Sequence, residues 1–126
     1  GVVLVAPMAI TEEAVNALLP LPPATFHILL AVSAGERHGY AIILDVEART
    51  NGELRLSAGT LYRSLARMVE QGLIVEVDKR RTRDDDERRR YYRITTFGTT
   101  VARAEMARLT ELVRLAKASG LTPRIA

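Results

Sequence analysis

Hydroxyl-bearing and basic side chains between Ser57 and Arg67 have the types and spacing for hydrogen bonding to phosphate oxygens and to base edges. Ser57 is a residue type that caps helix N-termini, so it predicts a helix that begins there and closes at Gly72. Helical spacing divides this segment into an apolar and a polar side. The apolar side contains Leu61, Leu65, Met68 and Val69, and the polar side contains Thr60, Arg63, Ser64 and Arg67.

The polar side of this helix suits the major groove of B-DNA, which is about 12 Å wide and admits a helix. Arg63 or Arg67 can donate two hydrogen bonds to guanine O6 and N7. The hydroxyls of the segment are donors to phosphate, and the backbone at Gly59 can approach a phosphate near the positive helix end. Those hydroxyls belong to Ser57, Thr60 and Ser64. The alternative is a solvated surface helix with two outward arginines.

A highly charged loop follows between two segments rich in β-branched and aromatic residues, residues 73–77 and 90–94, which predict a β-hairpin. Its basic residues are Lys79, Arg80, Arg81, Arg83, Arg88, Arg89 and Arg90, and they flank the acidic tip of residues 84–87. In a wing, the arginines nearest the strands would straddle the DNA backbone or enter the minor groove. Alternatively, the acids and bases pair with one another in a mobile loop; both interpretations can hold together.

The elements that must position these residues follow from apolar periodicity and capping. We expect a short leading helix from Thr11, a buried helix over residues 24–34, and a helix from Tyr40 to about Asn51. Residues 53–56 form either a short strand or an extended connector. The order helix, helix, helix, hairpin, helix, with an extra helix in front, predicts a mainly α fold with a small β-hairpin, the α+β architecture of a winged helix-turn-helix.

The last helix, capped by Thr95 or Thr96 and ended by Gly120, carries apolar residues at heptad-like spacing. We predict that this stripe joins two chains; it contains Ala102, Met106, Leu109, Leu112, Val113 and Ala116. The predicted organisation is an arm and short helix over residues 1–22, a DNA-binding domain over 23–95, and a dimerisation helix and tail over 96–126.

Single aromatic and histidine residues allow two interpretations each. Tyr62 either places its hydroxyl on a phosphate or belongs to the core, and Tyr40 could also touch the DNA backbone. Tyr91 and Tyr92 point to opposite faces of a strand, so we expect one to be buried. We expect His27 to be a hydrogen-bonded core histidine, and His38 to lie exposed in a turn.

Composition excludes several classes of function. The chain has no cysteine and two histidines, so we predict no metal site and no cofactor. No paired carboxylates, nucleophile with its base, or phosphate loop indicates an enzyme. The apolar residues 1–6 are too few to span a membrane and lack a basic n-region, so we expect a cytoplasmic protein.

The net charge of +3 is unevenly distributed along the chain. Residues 1–54 carry two basic and six acidic side chains, whereas residues 55–93 carry eleven basic and seven acidic ones. The excess of basic charge therefore coincides with the segments predicted to contact DNA.

Four segments of the chain together resemble the PadR family of bacterial transcriptional regulators. They are His38-Gly39-Tyr40-Ala41-Ile42, Gly52 to Leu65, Gln71-Gly72-Leu73-Ile74 and Arg89 to Thr95. The resemblance spans about residues 23–118. It implies a winged-helix domain, dimerisation through the C-terminal helix, and repression of a nearby operon. The DNA contacts it implies are Ser57, Gly59, Thr60, Tyr62, Arg63, Tyr40 and the basic residues of the wing. Ala58 stands where the family often has proline, and the acidic tip is not a family signature.

The leading hypothesis is therefore a homodimeric regulator, a repressor, that binds a palindromic operator in double-stranded DNA. A small-molecule effector that releases DNA is left open, because multidrug-binding members place tryptophan between subunits and this chain has none. The alternative is a winged-helix module that binds protein and lacks specific DNA binding.

Overall fold

Five helices and three short strands make up the part of the chain described in the computed structural model, which covers residues 9–77 and 90–124. They are α1 (Glu12–Asn16), α2 (Pro23–Ser33), β1 (Arg37–His38), α3 (Gly39–Arg49), α4 (Ala58–Glu70), β2 (Ile74–Val77), β3 (Tyr91–Ile94) and α5 (Thr96–Ala118). The mainly helical winged helix-turn-helix fold predicted from the sequence is confirmed.

Side-chain caps define where most of the helices begin. Thr11, Ser57 and Thr95 each accept a hydrogen bond from the backbone N–H three residues later, as predicted. Proline has no N–H to lose at the first helical position, and α2 accordingly begins at Pro23. Residues 53–56 contain no strand, so of the two predictions the extended connector is correct.

The predicted hairpin is present, but a third strand joins it. β2 and β3 pair antiparallel with Ile74 opposite Ile94, and β1 pairs with the other edge of β3. The prediction of an exposed turn at His38 is therefore wrong, because this half-buried residue lies in β1 and packs edge-on against the Tyr91 ring. Its Nδ1 also caps α3 by accepting from the Ala41 N–H at 3.2 Å.

The core forms where α2 lies against α3, α4, α5 and β3. Its fully buried side chains include Ile28, Leu29, Val32, Ile42, Leu61, Leu65, Met68, Leu73, Ile74 and Val101. The apolar side predicted for α4 is confirmed except at Val69, which remains 39% exposed. Tyr92 is the buried member of the tyrosine pair, as alternation along a strand requires.

His27 departs from its prediction in one respect. Its ring is partly buried on α2, but Nδ1 finds no hydrogen-bond partner among the described residues. The expectation of a hydrogen-bonded core histidine is therefore wrong for that nitrogen.

The helix α5 changes environment along its length. Its first half packs on the core through Val101 and the partly buried Phe97, Ala102 and Ala104. After Glu105 no residue of α5 is buried. The second half therefore projects from the domain.

Candidate nucleic-acid interface

The N-terminus of α4 is a network of hydroxyl groups at the protein surface. The Ser57 Oγ accepts from the Thr60 N–H at 3.1 Å and donates to the Thr60 Oγ1 at 3.0 Å. Ser57 and Gly59 are exposed, and Thr60 and Ser64 are partly exposed. The free N–H groups and positive end of this helix favour an anion such as phosphate.

The arginines of α4 form no ion pair within the described residues, in contrast to several exposed arginines nearby. Within the described residues neither Arg63 nor Arg67 forms an ion pair, and Arg63 has only a long contact of 3.4 Å to the Thr60 Oγ1. By contrast, each of several neighbouring arginines lies beside an acid. These pairs are Arg55 with Glu47 at 3.2 Å, Arg90 with Glu76 at 3.6 Å and Arg93 with Glu36 at 3.4 Å. Within the described residues, the guanidinium groups of Arg63 and Arg67 are therefore not held by an acid and are available to a partner.

Both candidate tyrosines present part of their rings to solvent. Tyr40, in the first turn of α3, is 62% exposed, and Tyr62 is 46% exposed. The Tyr62 ring lies over Gly39, where an added Cβ would come within 2.8 Å of the phenol oxygen. Glycine at this position therefore allows α3 and α4 to approach and places the Tyr62 hydroxyl beside the start of α3.

The base of the wing forms a groove with α4. The groove encloses about 310 Å³ and is lined by Tyr62, Ala66, Val69, Glu76, Arg90 and Tyr92. Burial raises the pKa of the Tyr92 hydroxyl, and the nearby Glu76 carboxylate raises it further. Of the predicted wing contacts only Arg90 is described; Lys79, Arg80, Arg81, Arg88 and Arg89 lie outside the described residues.

The predicted dimerisation stripe is mostly uncovered. Met106, Leu109, Leu112 and Val113 are between 38% and 62% exposed. With 100° of rotation per residue, Met106, Leu109 and Val113 follow Ala102, about 100° around the helix from Val101, and Leu112 lies about 20° from Val101. Ala116 is partly buried, and Ala102 packs in part against the core of its own chain.

Glu105 is a residue that the sequence analysis missed. It is 2% exposed, and its Oε2 accepts a hydrogen bond from the Leu21 N–H at 2.8 Å while its Oε1 accepts from the Arg108 Nε. The Arg108 bond chiefly, helped by the Leu21 N–H, holds the pKa of the carboxyl below its ordinary value of 4.5 against the opposing effect of burial. The only sequence signal is an acid on the apolar face of α5, three residues before an arginine.

The described part of the chain contains neither a cluster of metal ligands nor a membrane-spanning helix. No three His, Cys, Asp or Glu side chains come together there in a way that could hold a metal ion. No helix among residues 9–77 and 90–124 combines the length and apolar character that crossing a bilayer requires.

Solved structures share this fold at low sequence identity. A transcriptional regulator from Clostridium thermocellum matches with a TM-score of 0.64 and 22% identity, over 90% of this chain and all of the other. A PadR family transcription regulator from Clostridium difficile gives 0.64 and 21%, over 77% and 97% of the two chains. Bacillus subtilis PadR, solved in complex with operator DNA, gives 0.59 and 17%, over 69% of this chain and 48% of the other.

Sequence comparison assigns the family. No curated protein matches the chain in sequence. The family model described as "Transcriptional regulator PadR-like family" matches residues 28–104, which run from α2 through the helix-turn-helix and the strands into α5. That span is more than half of the 126 residues and contains the segments whose resemblance to the family was noted from the sequence. The chain therefore belongs to the PadR-like family of transcriptional regulators.

Proposed function

We propose that this chain represses transcription by binding a palindromic operator as a homodimer, with α4 of each protomer in the major groove. The unpaired guanidinium groups of Arg63 and Arg67 are the observation that carries the proposal. They lie on the exposed side of a helix whose only acidic residue is Glu70, at its far end. Base-edge recognition needs such donors free of competing acids.

The phosphate contacts are assigned to residues around the base-reading side chains. Ser57, Gly59, Thr60 and Tyr62 lie at or near the start of α4, and Tyr40 lies at the start of α3. Hydroxyls and N–H groups in these places fix the register of a helix on the duplex. The operator complex of Bacillus subtilis PadR, a structure of the same fold, supports the proposed partner.

Duplex DNA from the region upstream of the chain's own gene tests the proposal. Fluorescence anisotropy should give affinity that falls steeply and log-linearly with salt, since each phosphate contact adds about 0.9 to the slope. A scrambled duplex of equal length is the control and should bind more weakly. No binding of any duplex at low salt would overturn the proposal.

The protein-interaction alternative predicts a different salt response. A protein partner releases no condensed counterions, so its affinity should lack the steep log-log dependence. The pairing of Arg90 and Arg93 with acids favours this alternative for the wing base, but such pairing does not extend to α4. Release of DNA by a small molecule stays a prediction. It is tested by screening small molecules for those that lower the fluorescence anisotropy of the bound duplex.

A further inference from the structure

The buried carboxylate of Glu105 joins α5 to a segment far away in sequence. Its Oε2 accepts from the backbone N–H of Leu21, which lies 84 residues earlier in the link between α1 and α2. Its other oxygen accepts from Arg108 on α5 itself. Because Glu105 is 2% exposed, loss of this acceptor would leave a buried N–H unpaired.

Two close contacts hold α5 against the rest of the domain, and Glu105 is the second of them along the helix. At the first, Gly98 lies against Leu73, the residue before β2, where a methyl group would overlap the Leu73 carbonyl oxygen. The two contacts are about 10 Å apart at 1.5 Å per residue. Beyond Glu105 the helix has no buried residue, and this hydrogen bond is the last that a side chain of α5 makes to another part of the described structure.

We propose that Glu105 is a positioning residue that fixes the angle of the projecting half of α5, and thereby the half-site spacing that the dimer accepts. Residues 98–118 form a lever about 30 Å long. A tilt of about 10° at Gly98 moves the far end by about 5 Å, more than the roughly 3.4 Å rise of one base pair. The inference rests on the proposed function, in which α5 joins the two protomers.

A distance measurement within one chain tests the positioning role without DNA. The chain has no cysteine, so Glu70→Cys and Lys117→Cys place two unique spin labels on exposed sites of α4 and α5. Labelled chain diluted into excess unlabelled chain reports the intramolecular distance by pulsed electron resonance. Glu105→Met should broaden or shift the distance distribution, whereas Glu105→Gln, which keeps an acceptor for Leu21, should largely restore it.

The control is Glu111→Gln, because Glu111 and Arg114 form an exposed pair with the same i,i+3 spacing on α5. It should leave the distribution unchanged. If Glu105→Met does not fold by circular dichroism, Glu105→Ala replaces it. An unchanged distribution in a folded variant that lacks the acceptor overturns the proposal.

Duplexes whose half-sites are separated by different numbers of base pairs test the functional consequence. Wild-type chain should prefer one spacing over its neighbours by about tenfold, which is about 1.4 kcal/mol, and Glu105→Met should lose most of that preference. Equal spacing profiles for wild type and a folded Glu105→Met overturn the inference and leave the proposed function intact. A wild-type chain that binds no duplex overturns the proposed function, while the distance measurement still decides whether Glu105 positions α5.

Discussion

The side chains assigned to DNA differ from their neighbours in what surrounds them. Arg63 and Arg67 are exposed on α4 without an acid beside them in the described structure, whereas Arg90 at the wing base lies 3.6 Å from Glu76. A paired arginine must break its ion pair before it binds phosphate, so it contributes less to the free energy of DNA binding. The unpaired arginines therefore favour α4 as the element that reads bases in the proposed complex.

Truncation of either α4 arginine should show whether that arginine recognises a base or only attracts the phosphate backbone. Arg63→Ala or Arg67→Ala is expected to cost about 1–3 kcal/mol on the preferred duplex if that residue reads a base, and to relax preference at one position. Binding isotherms on single-base variants measure both effects. Arg103→Ala, which removes an exposed arginine from α5, is the charge-matched control. A uniform loss on all sequences would reassign the arginine to phosphate.

The lowered pKa of Glu105 makes stability depend on pH. A carboxyl whose pKa is lower in the folded than in the unfolded chain stabilises the fold fully above the unfolded value, and this contribution is lost as pH falls through the folded value. We expect the free energy of unfolding, measured with urea, to decline as the pH falls below the ordinary glutamate pKa of 4.5, partly through this group. Glu105→Gln should lessen that decline. An identical pH slope in the variant would contradict the assignment.

At the scale of elements, periodicity and capping predicted most of the fold because both act within one turn of helix or one strand. The apolar side of α4 and the caps Ser57 and Thr95 are such local signals. β1 has only two residues, so no alternation marks it, and it exists because β3 offers a free edge. The hydrogen bond from Leu21 to Glu105 spans 84 residues, beyond the reach of any local pattern.

The close approach of α5 to Leu73, the residue before β2, depends on a glycine. Gly98 is buried with its Cα facing the Leu73 carbonyl, so Gly98→Ala forces backbone apart and should destabilise the fold by at least about 1–3 kcal/mol. Gly59→Ala is the matched control, since there a methyl group meets only the flexible end of Arg63 and alanine favours helix. Thermal or urea unfolding compares them.

The two glycine variants also separate stability from binding. Gly59→Ala should fold at least as well as wild type yet bind DNA more weakly, because the methyl group obstructs approach of a phosphate to the start of α4. Undiminished affinity would remove Gly59 from the contact surface. Gly98→Ala protein that has folded should bind with normal preference for individual bases.

At the scale of the whole molecule, one side of α5 exposes apolar side chains to solvent, and no part of the described chain covers them. The exposed apolar side chains of Met106, Leu109 and Val113 follow Ala102 along one side of α5, about 100° around the helix from Val101. Heptad spacing predicted this stripe from the sequence. Its exposure is visible only in the fold, because the domain ends beside Glu105 while the helix continues to Ala118.

A charge on this face should therefore separate the protomers. Leu112→Glu places a carboxylate within the proposed helix–helix contact, where burial without a partner is costly, and should convert dimer to monomer in sedimentation velocity. Ala107→Glu adds the same charge on the opposite, exposed side of α5 and should leave the dimer intact. Because a dimer holds two half-sites at once, the monomeric variant should lose preference for the palindrome while each α4 still binds a half-site weakly. A Leu112→Glu chain that remains dimeric would exclude this face as the interface.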